Sequence, residues 1–340
     1  MKRRSFLKTV STASASLLLP DSLFATEDDC PRGSLKVDLA IVGGGLGGCA
    51  AALAALRGGL SVVLTEETDW IGGQLTQQAV PPDEHRWIES RGCTQTYRTL
   101  RNGIRDYYRR HYPLTEPAGK VVNLDPGNGS VSRLCHEPRV ALAVLEQMLA
   151  AARSGARLTV LSQHQALSAE TDGDFVRQVR LRNLRTGREL DLEASWFIDA
   201  TELGDLLPLT GTEFVTGSES RRDTHELHAP EDADPANQQA FTVCFAVDYL
   251  EGRNHVIDRP ENYDFWRDLV PKMQPPWPGR LLDFTYTHPS SLKPKELGFS
   301  PHGRSKPGTL NLWQYRRIAD RSNFAPGTSV SYTHLRAHET

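Results

Sequence analysis

A strand that runs directly into glycines is the clearest pattern in the chain. Residues 35–42 first alternate between polar and apolar positions and then become continuously apolar, which is typical of a buried parallel strand. The segment Gly43-Gly44-Gly45-Leu46-Gly47-Gly48 follows at once, and residues 49–57 are small and apolar, as in a helix that lies against a sheet. Gly58-Gly59 ends this helix, and a second strand is predicted over residues 60–65.

Helical and strand periodicities return later in the chain. Apolar residues recur at helical spacing over residues 139–153, and Gly155 follows them. The remaining pattern predicts four strands and a hairpin turn at residues 185–187. The predicted strands cover residues 158–161, 176–181, 189–192 and 195–200.

Two further regions, residues 81–130 and residues 212–289, differ from the segments above in their pattern of polar and apolar positions. Within residues 81–130 the pattern predicts a helix with one apolar face, formed by Tyr97, Leu100, Ile104 and Tyr108. Residues 212–240 are polar, residues 241–249 predict a strand, and residues 271–289 are rich in proline and predict irregular structure. No internal repeat is present.

The glycines after the first strand have the spacing of a dinucleotide-binding turn. Gly43, Gly45 and Gly48 occupy the three glycine positions of GxGxxG, and Gly47 lies within the same turn. In such a turn the first glycine permits a tight bend, the second lets a pyrophosphate approach the backbone, and the third lets the helix pack close to the strand. Glu66, at the end of the second strand, is the acid expected to accept hydrogen bonds from an adenosine ribose. The sequence therefore predicts a dinucleotide site.

Composition limits the partners that need to be considered. Of the 340 residues, 39 are Lys or Arg and 42 are Asp or Glu, and the formal charge is -3. This balance gives no electrostatic reason to expect nucleic acid or an anionic membrane surface, so we expect a small-molecule substrate. The five cysteines show neither CxxC spacing nor a Cys and His ligand pattern, so no metal site is predicted.

Both ends of the sequence differ from the rest. Residues 1–25 combine a basic start, including Arg3 and Arg4, with a weakly apolar run too short to span a bilayer. The order Arg3-Arg4-x-Phe6-Leu7-Lys8 resembles a twin-arginine export signal, which predicts a periplasmic or otherwise exported protein; the alternative is an ordinary secretory signal. Residues 330–340 resemble a translated sequencing adapter, and the alternative is a natural polar tail.

The residues after Glu66 separate FAD from other dinucleotides. The continuation Glu66-Glu67-Thr68-Asp69-Trp70-Ile71-Gly72-Gly73-Gln74-Leu75-Thr76 resembles that of FAD-dependent oxidoreductases of the glutathione-reductase type. The resemblance implies that Gly72 and Gly73 lie against the pyrophosphate and that Gln74 and Leu75 lead towards the flavin. Asp199-Ala200-Thr201 resembles the turn at which such chains return to the flavin domain, although Glu202 stands where the family usually has glycine. Arg139 is a further candidate for holding the phosphates or a substrate carboxylate.

The resemblance also implies a fold class, α/β, with a Rossmann-type FAD-binding domain and an inserted, β-rich substrate domain that is truncated at its C-terminus. Residues 72–97 and 133–139 are similar to a branch of exported FAD-dependent oxidoreductases that is distantly similar to the flavin subunit of heterodisulfide reductases. The cysteine-rich motifs of that subunit are not in the sequence, so its electron bifurcation is not implied. We expect the FAD-binding domain in two parts, 35–80 and 131–211, an insert at 81–130 and a partial substrate domain at 212–329.

Reactive side chains are concentrated in the insert at residues 81–130. Because Gln74 is expected to lead towards the flavin, His85 and Glu84 are candidates for the catalytic acid or base. Cys93, together with Cys135, suggests thiol redox chemistry as a second idea. In each case a structural role is the alternative.

The expected function is an FAD-dependent oxidoreductase in which a hydride moves from a small organic substrate to the flavin. The substrate class (sugar, amine or hydroxy acid) and the electron acceptor stay open, and no stable membrane insertion is expected. Two alternatives remain: an electron-transfer or thiol-redox flavoprotein, and a non-catalytic exported binding protein with a vestigial nucleotide site.

Overall fold

The computed structural model describes residues 33–239, 244–273, 276, 279–288, 290–291, 293–301 and 308–327. Its main feature is a six-stranded sheet. The predicted signal segment at residues 1–25 and the adapter-like tail at residues 330–340 lie outside the described residues. The strands of the main sheet are β1 (Ser34–Val42), β2 (Val62–Glu66), β3 (Leu158–Ser162), β4 (His164–Asp172), β5 (Phe175–Asn183) and β6 (Glu189–Asp199).

The sheet has a parallel half and an antiparallel half. The strand order is β3-β2-β1-β6-β5-β4. β1 pairs in parallel with both β2 and β6, and β2 pairs in parallel with β3, whereas β5 is antiparallel to its two neighbours. The carboxyl ends of β1, β2 and β6 therefore meet at one edge, where an open α/β sheet binds its ligands. This mixed α/β sheet, with strand, helix and parallel strand in succession, confirms the prediction of a Rossmann-type domain.

Alternate residues of β1 face opposite sides of the sheet, and both sides are covered. Leu39 and Ile41 lie in an apolar cluster with helices, whereas Ala40 and Val42 lie in a second cluster with residues of β5 and β6. All four side chains are at most 6% exposed. Burial on both faces explains why this strand has a continuous apolar run rather than a simple alternation.

Eight helices accompany the strands among the described residues. Gly45 directly precedes α1, and Thr94 caps α2 by accepting a hydrogen bond from the backbone N–H of Tyr97. α4 begins with a proline, which suits the first helical position. The helices are α1 (Leu46–Arg57), α2 (Gln95–His111), α3 (Glu116–Lys120), α4 (Pro138–Ser154), α5 (Leu206–Thr210), α6 (Arg221–Thr224), α7 (Tyr263–Asp268) and α8 (Leu312–Tyr315).

The insert is held by an ionic cluster under α2. Arg101 is 1% exposed and binds both carboxylate oxygens of Glu84, and with Arg105 it also binds Glu89. Burial by itself raises the pKa of Glu89, but the hydrogen bonds from the two guanidinium groups outweigh this effect and lower the pKa to about 2. Glu89 therefore stays charged at neutral pH, and the cluster ties residues 84–89 to α2.

The last described segment returns to the first part of the chain. It follows a small sheet made of β7 (Thr285–Thr287), β8 (Pro294–Gly298) and β9 (Leu310–Asn311). Phe324 is buried in the apolar cluster under α2, and the side chain of Asn323 donates to the carbonyls of Asp125 and Pro126. Residues 312–324 are thus fixed on the loop that precedes α4.

Three details of the predicted pattern were wrong. Residues 189–192 and 195–200 were expected as two strands, but β6 is continuous, because residues 189–193 pair with β5 and residues 191–194 and 196–199 pair with β1. β4 was not predicted, since it is a mostly exposed edge strand with little apolar periodicity. Of the strand expected at residues 241–249, the first three residues lie outside the described residues. Residues 244–249 are not a strand, and Phe245 is 79% exposed with no sheet to pack on.

Candidate functional site

At two positions of the glycine turn after β1, backbone atoms occupy the space that a Cβ would need. Gly43 has a φ of +103°, and a Cβ there would lie 2.3 Å from the carbonyl oxygen of Ala200. A Cβ at Gly48 would lie 2.0 Å from the carbonyl oxygen of Gly43. The backbone N–H of Gly43 also donates to Thr65 Oγ1 at the end of β2. The three strand ends are therefore packed backbone to backbone around this turn.

The start of α1 is open where the rest of the turn is crowded. A Cβ at Gly47 would meet nothing within 4 Å, and at Gly45 it would meet only Glu202 Oε1 at 3.5 Å. The first backbone N–H groups of a helix have no partner within the helix and carry partial positive charge. Open space in front of them is the arrangement that accepts a phosphate group.

A cavity of about 190 Å³ lies at this edge of the sheet. Among the predicted cofactor-binding residues, Gly43, Gly45, Glu66 and Gly73 line it. Its other lining residues are neighbours of these motif residues in the chain, together with residues of β4 and of the turn after β6. These others are Val42, Gly44, Thr65, Glu67, Thr68, Gln77, Gln78, His164, Ala166, Ala200, Thr201, Glu202, Leu203 and Asp205.

One of the two carboxylate oxygens of Glu66 accepts hydrogen bonds from the protein. Its Oε1 accepts hydrogen bonds from the backbone N–H and the hydroxyl of Thr68, at 2.9 Å and 2.8 Å. Its Oε2 lies beside the backbone of Gly44, 2.8 Å from where a Cβ of that residue would stand. A carboxylate fixed in this way at the end of β2 has the position expected of a ribose acceptor.

The pair Gly72-Gly73 lies against the glycine turn. The backbone N–H of Gly72 donates to the carbonyl of Gly44 at 2.8 Å. Gly72 and Gly73 both have positive φ, and a Cβ at Gly73 would lie 3.1 Å from the Cα of Gly45. Gly73 lines the cavity, whereas Gly72 packs against Leu145 and Thr76.

The return turn after β6 is organised by Asp199. Its Oδ1 accepts from the backbone N–H and the hydroxyl of Thr201, and its Oδ2 accepts from the backbone N–H of Leu206. Asp199 is absent from the described lining of the cavity, but it positions Thr201 and Glu202, which do line it. Gln78 Nε2 donates to Glu202 Oε1 at 3.3 Å, and this contact joins the return turn to the segment after Gly73.

Five other predicted cofactor residues, Gly47 among them, do not line this cavity. Leu75 is 3% exposed and belongs to the apolar core, and Gln74 donates to the carbonyl of Pro81. Arg139 lies over the ring of Trp70 at 5.9 Å, and its buried Nε has no partner among the described residues. Gly48 packs against the backbone of the turn, at the carbonyl of Gly43. A direct role of these residues in cofactor binding stays a prediction.

The three catalytic candidates lie outside the described cavities. Both ring nitrogens of His85 are engaged in its own exposed loop, with the backbone N–H of Trp87 and the carbonyl of Gly92. Glu84 is bound by Arg101 and also accepts from the hydroxyl of Tyr97. Cys93 is half-buried near the start of α2. The geometry gives Glu84 a clear structural task, and the catalytic roles of all three stay predictions.

The described part of the chain contains no group of three or more His, Cys, Asp or Glu residues arranged to hold a metal ion. No helix within the same part is long and apolar enough to cross a membrane.

Comparison with known proteins gives one family and several distant structures. The family model described as FAD dependent oxidoreductase matches residues 38–334. The chain is similar to L-proline dehydrogenase from P. horikoshii (19% identity, TM-score 0.27) and to the myxobacterial chondrochloren halogenase CndH (21% identity, TM-score 0.32). It is also similar to Mycobacterium smegmatis Sdh1 in complex with UQ1 (12% identity, TM-score 0.34). No curated protein matches.

The structural similarities involve only part of each protein. They cover 50%, 49% and 56% of this chain, respectively. The chain spans 23%, 37% and 35% of the length of those three structures, in the same order.

Proposed function

Since the chain belongs to the family of FAD-dependent oxidoreductases, we propose that the cavity at the glycine turn holds the adenosine diphosphate part of FAD, and that a small organic substrate is oxidised next to it. The protein is an FAD-dependent oxidoreductase. The proposal concerns where the cofactor binds and in which direction the hydride moves.

The observation that carries the proposal is the contrast within the glycine turn. Gly43 and Gly48 have no room for a Cβ because protein backbone fills that space, whereas Gly45 and Gly47 face open space at the start of α1. A glycine turn with a purely structural role needs glycine at positions 43 and 48, but it does not need glycine at positions 45 and 47. The donor set therefore fits a pyrophosphate, and the carboxylate of Glu66 fits the neighbouring ribose.

Each residue has a limited task in this scheme. The N–H groups at the start of α1 bind the phosphates, and Glu66 orients the adenosine by accepting from its ribose hydroxyls. Gly72 and Gly73 keep the following segment close to the turn, and Asp199 holds the return turn in place. When bound, FAD supplies a flavin ring that accepts a hydride from the substrate.

Thiol redox chemistry is less well supported than substrate oxidation. Cys135 is fully buried, and burial raises the pKa of its thiol to about 12. The thiolate is the reactive form of cysteine, so a thiol with such a pKa stays protonated and inert at neutral pH. Burial also raises the pKa of Cys49 to about 12, in agreement with a packing role in α1.

Gly45→Val tests the cofactor site without disturbing the fold. Gly45 has an ordinary negative φ, and its only near neighbour is the carboxylate of Glu202, so the added side chain fills the open space in front of α1. We expect the FAD content of the purified full chain, measured by absorbance after denaturation, to fall by about tenfold or more. Circular dichroism should be unchanged.

Gly119→Val is the matched control, because Gly119 also has no neighbour within 4 Å but lies in α3, outside the cavity lining. It should retain full FAD content. Full FAD content in a folded Gly45→Val variant is the result that refutes the proposed site.

We also propose export by the twin-arginine route. The support is the order of residues 3–8 and the need of a flavoprotein to acquire its cofactor before leaving the cytoplasm.

A further inference from the structure

A second, larger cavity is lined by residues of the segments 244–251, 299–301 and 312–321, and its volume is about 530 Å³. This volume is within the range of small-molecule sites in proteins. Ala79 forms part of its wall, and the preceding residue, Gln78, lines the cavity at the glycine turn. The two cavities therefore share the short segment 77–79 as part of their walls, and this segment follows Gly73 in the chain.

One wall of this cavity is aromatic. Trp313 packs edge-on against Phe299, with ring centroids 5.5 Å apart, and against Tyr249 at 6.3 Å. Leu312 and Ile318 extend the wall. Aromatic rings in a concave surface bind the apolar part of a small molecule and tolerate a polar edge.

Arg316 lines the same cavity and has unused donors. Its Nη1 contacts the sulfur of Cys244 at 3.5 Å, a weak acceptor, and its buried Nε has no partner. Arg316 pairs with no carboxylate among the described residues. A guanidinium has five N–H donors in a planar fork, and that fork matches the two oxygens of a carboxylate.

The neighbouring cation, Arg317, already has a carboxylate partner, so Arg316 is the half-buried arginine of this cavity that has none among the described residues. Arg317 donates to Asp320 Oδ2 and to the carbonyl of Gly127, each at 2.6 Å, and to the carbonyl of Asn128 at 2.9 Å. The negative charge of Asp320 is therefore compensated by Arg317. Two other acids, Asp248 and Glu251, line the cavity from the opposite segment, and both are exposed.

The segment that carries Arg316 is held in place before any ligand binds. The backbone N–H groups of Ser130 and Val131 donate to the carbonyls of Gln314 and Tyr315. Phe324, farther along, is buried in the core under α2. A binding residue on a segment anchored at both ends loses little freedom when its ligand binds.

We propose that this second cavity is the substrate site and that it takes an organic carboxylate, whose apolar or aromatic body packs on Trp313 and Phe299 while its two oxygens accept hydrogen bonds from Arg316. The assignment as a substrate site rests on the proposed cofactor site across residues 77–79. A carboxylate there satisfies the buried donors of Arg316, which are costly to leave unpaired.

A charge series of one ring system tests the proposal. Phenylacetate, 2-phenylethanol and 2-phenylethylamine share a phenyl ring and differ in the charge of the polar end. Isothermal titration calorimetry on the purified full chain should give a dissociation constant for phenylacetate about tenfold or more below those of the alcohol and the amine. Arg316→Gln should abolish this preference, and Arg316→Lys should retain part of it. Trp313→Ala should weaken all three ligands.

Arg253→Gln is the matched control, because Arg253 is exposed and does not line the cavity. It should leave the preference for the anion intact. Equal binding of the three compounds by the unmodified chain, no binding of any, or an unchanged preference in Arg316→Gln overturns the proposal.

Calorimetry does not depend on flavin, so the two proposals can fail separately. Loss of FAD in Gly45→Val with an intact preference for phenylacetate supports both. Full FAD content in that variant refutes the cofactor site, and with it the assignment of the second cavity as a substrate site, but not its binding of a carboxylate. Absence of an anion preference in an unmodified chain with normal FAD content refutes the carboxylate site alone.

Discussion

Glu202 places a carboxylate beside the start of α1, where the family usually has glycine. Its Oε1 accepts from Gln78 and lies next to Gly45 and Gly73, in the space in front of the first helical N–H groups. A pyrophosphate bound there carries negative charge as well. Two unit charges about 4 Å apart repel by about 1 kcal/mol in water and about 4 kcal/mol near a protein surface. The side chain therefore competes with the cofactor for the same positive end of the helix.

Glu202→Gln should tighten FAD binding, because the amide keeps an oxygen for Gln78 and removes the charge. We expect the dissociation constant of FAD, measured by calorimetry on flavin-stripped protein, to fall by about three- to tenfold. The difference from the unmodified chain should shrink in high salt, since salt screens exposed charges. Glu213→Gln, at an exposed position outside the cavity lining, is the control. Weaker binding by Glu202→Gln would mean that the carboxylate accepts a hydrogen bond from the cofactor.

At the scale of elements, α2 holds residues 84–89 of the insert through buried charge. Arg101 and Glu84 are 1% and 3% exposed, so neither group has access to water if the other is removed. A buried ion pair contributes little compared with an apolar pair of the same volume, but the loss of one partner leaves an uncompensated charge. The same helix also has an exposed pair, Arg109 with Asp106, whose members are 30% and 56% exposed.

Arg101→Met should therefore destabilise the protein by about 3–5 kcal/mol. Arg109→Met, in the same helix, should cost about 0–1 kcal/mol because its partner stays in water. Urea unfolding followed by circular dichroism measures both free energies of unfolding. Similar small losses for the two variants would contradict a charged, buried cluster under α2.

For the molecule as a whole, long-range pairing assembles the proposed sites. β6 enters the sheet beside β1 and brings Thr201 and Glu202 to the glycine turn. Residues 312–324 pack on the loop before α4 and bring Arg316 to the second cavity. The proposed FAD-binding residues thus come from three separate stretches of the chain, so in this scheme the domain must fold before it can hold its cofactor. Transport in the folded state fits this requirement.

The proposed export route predicts the fate of a conservative change. Replacing Arg3 and Arg4 together by lysine keeps the charge of the n-region but removes the arginine pair. The protein should then stay in the cytoplasm with its FAD, as measured by cell fractionation and immunoblotting. Lys8→Arg is the control and should be exported normally. Undiminished export of the double lysine variant would point to the general secretory route.

The first part of the proposed cofactor site could be predicted from local residue order. β1, the glycine turn, α1, β2 and Glu66 are close in the chain, and their periodicity and steric demands appear directly in the residue order. The other parts of the two proposed sites are formed by long-range contacts in the folded chain. Gln78 and Arg316 reach their cavities only through contacts with residues far away in sequence, and such contacts leave no periodic signal. For the same reason Glu84, a plausible base from its position in the chain, is buried against Arg101 instead.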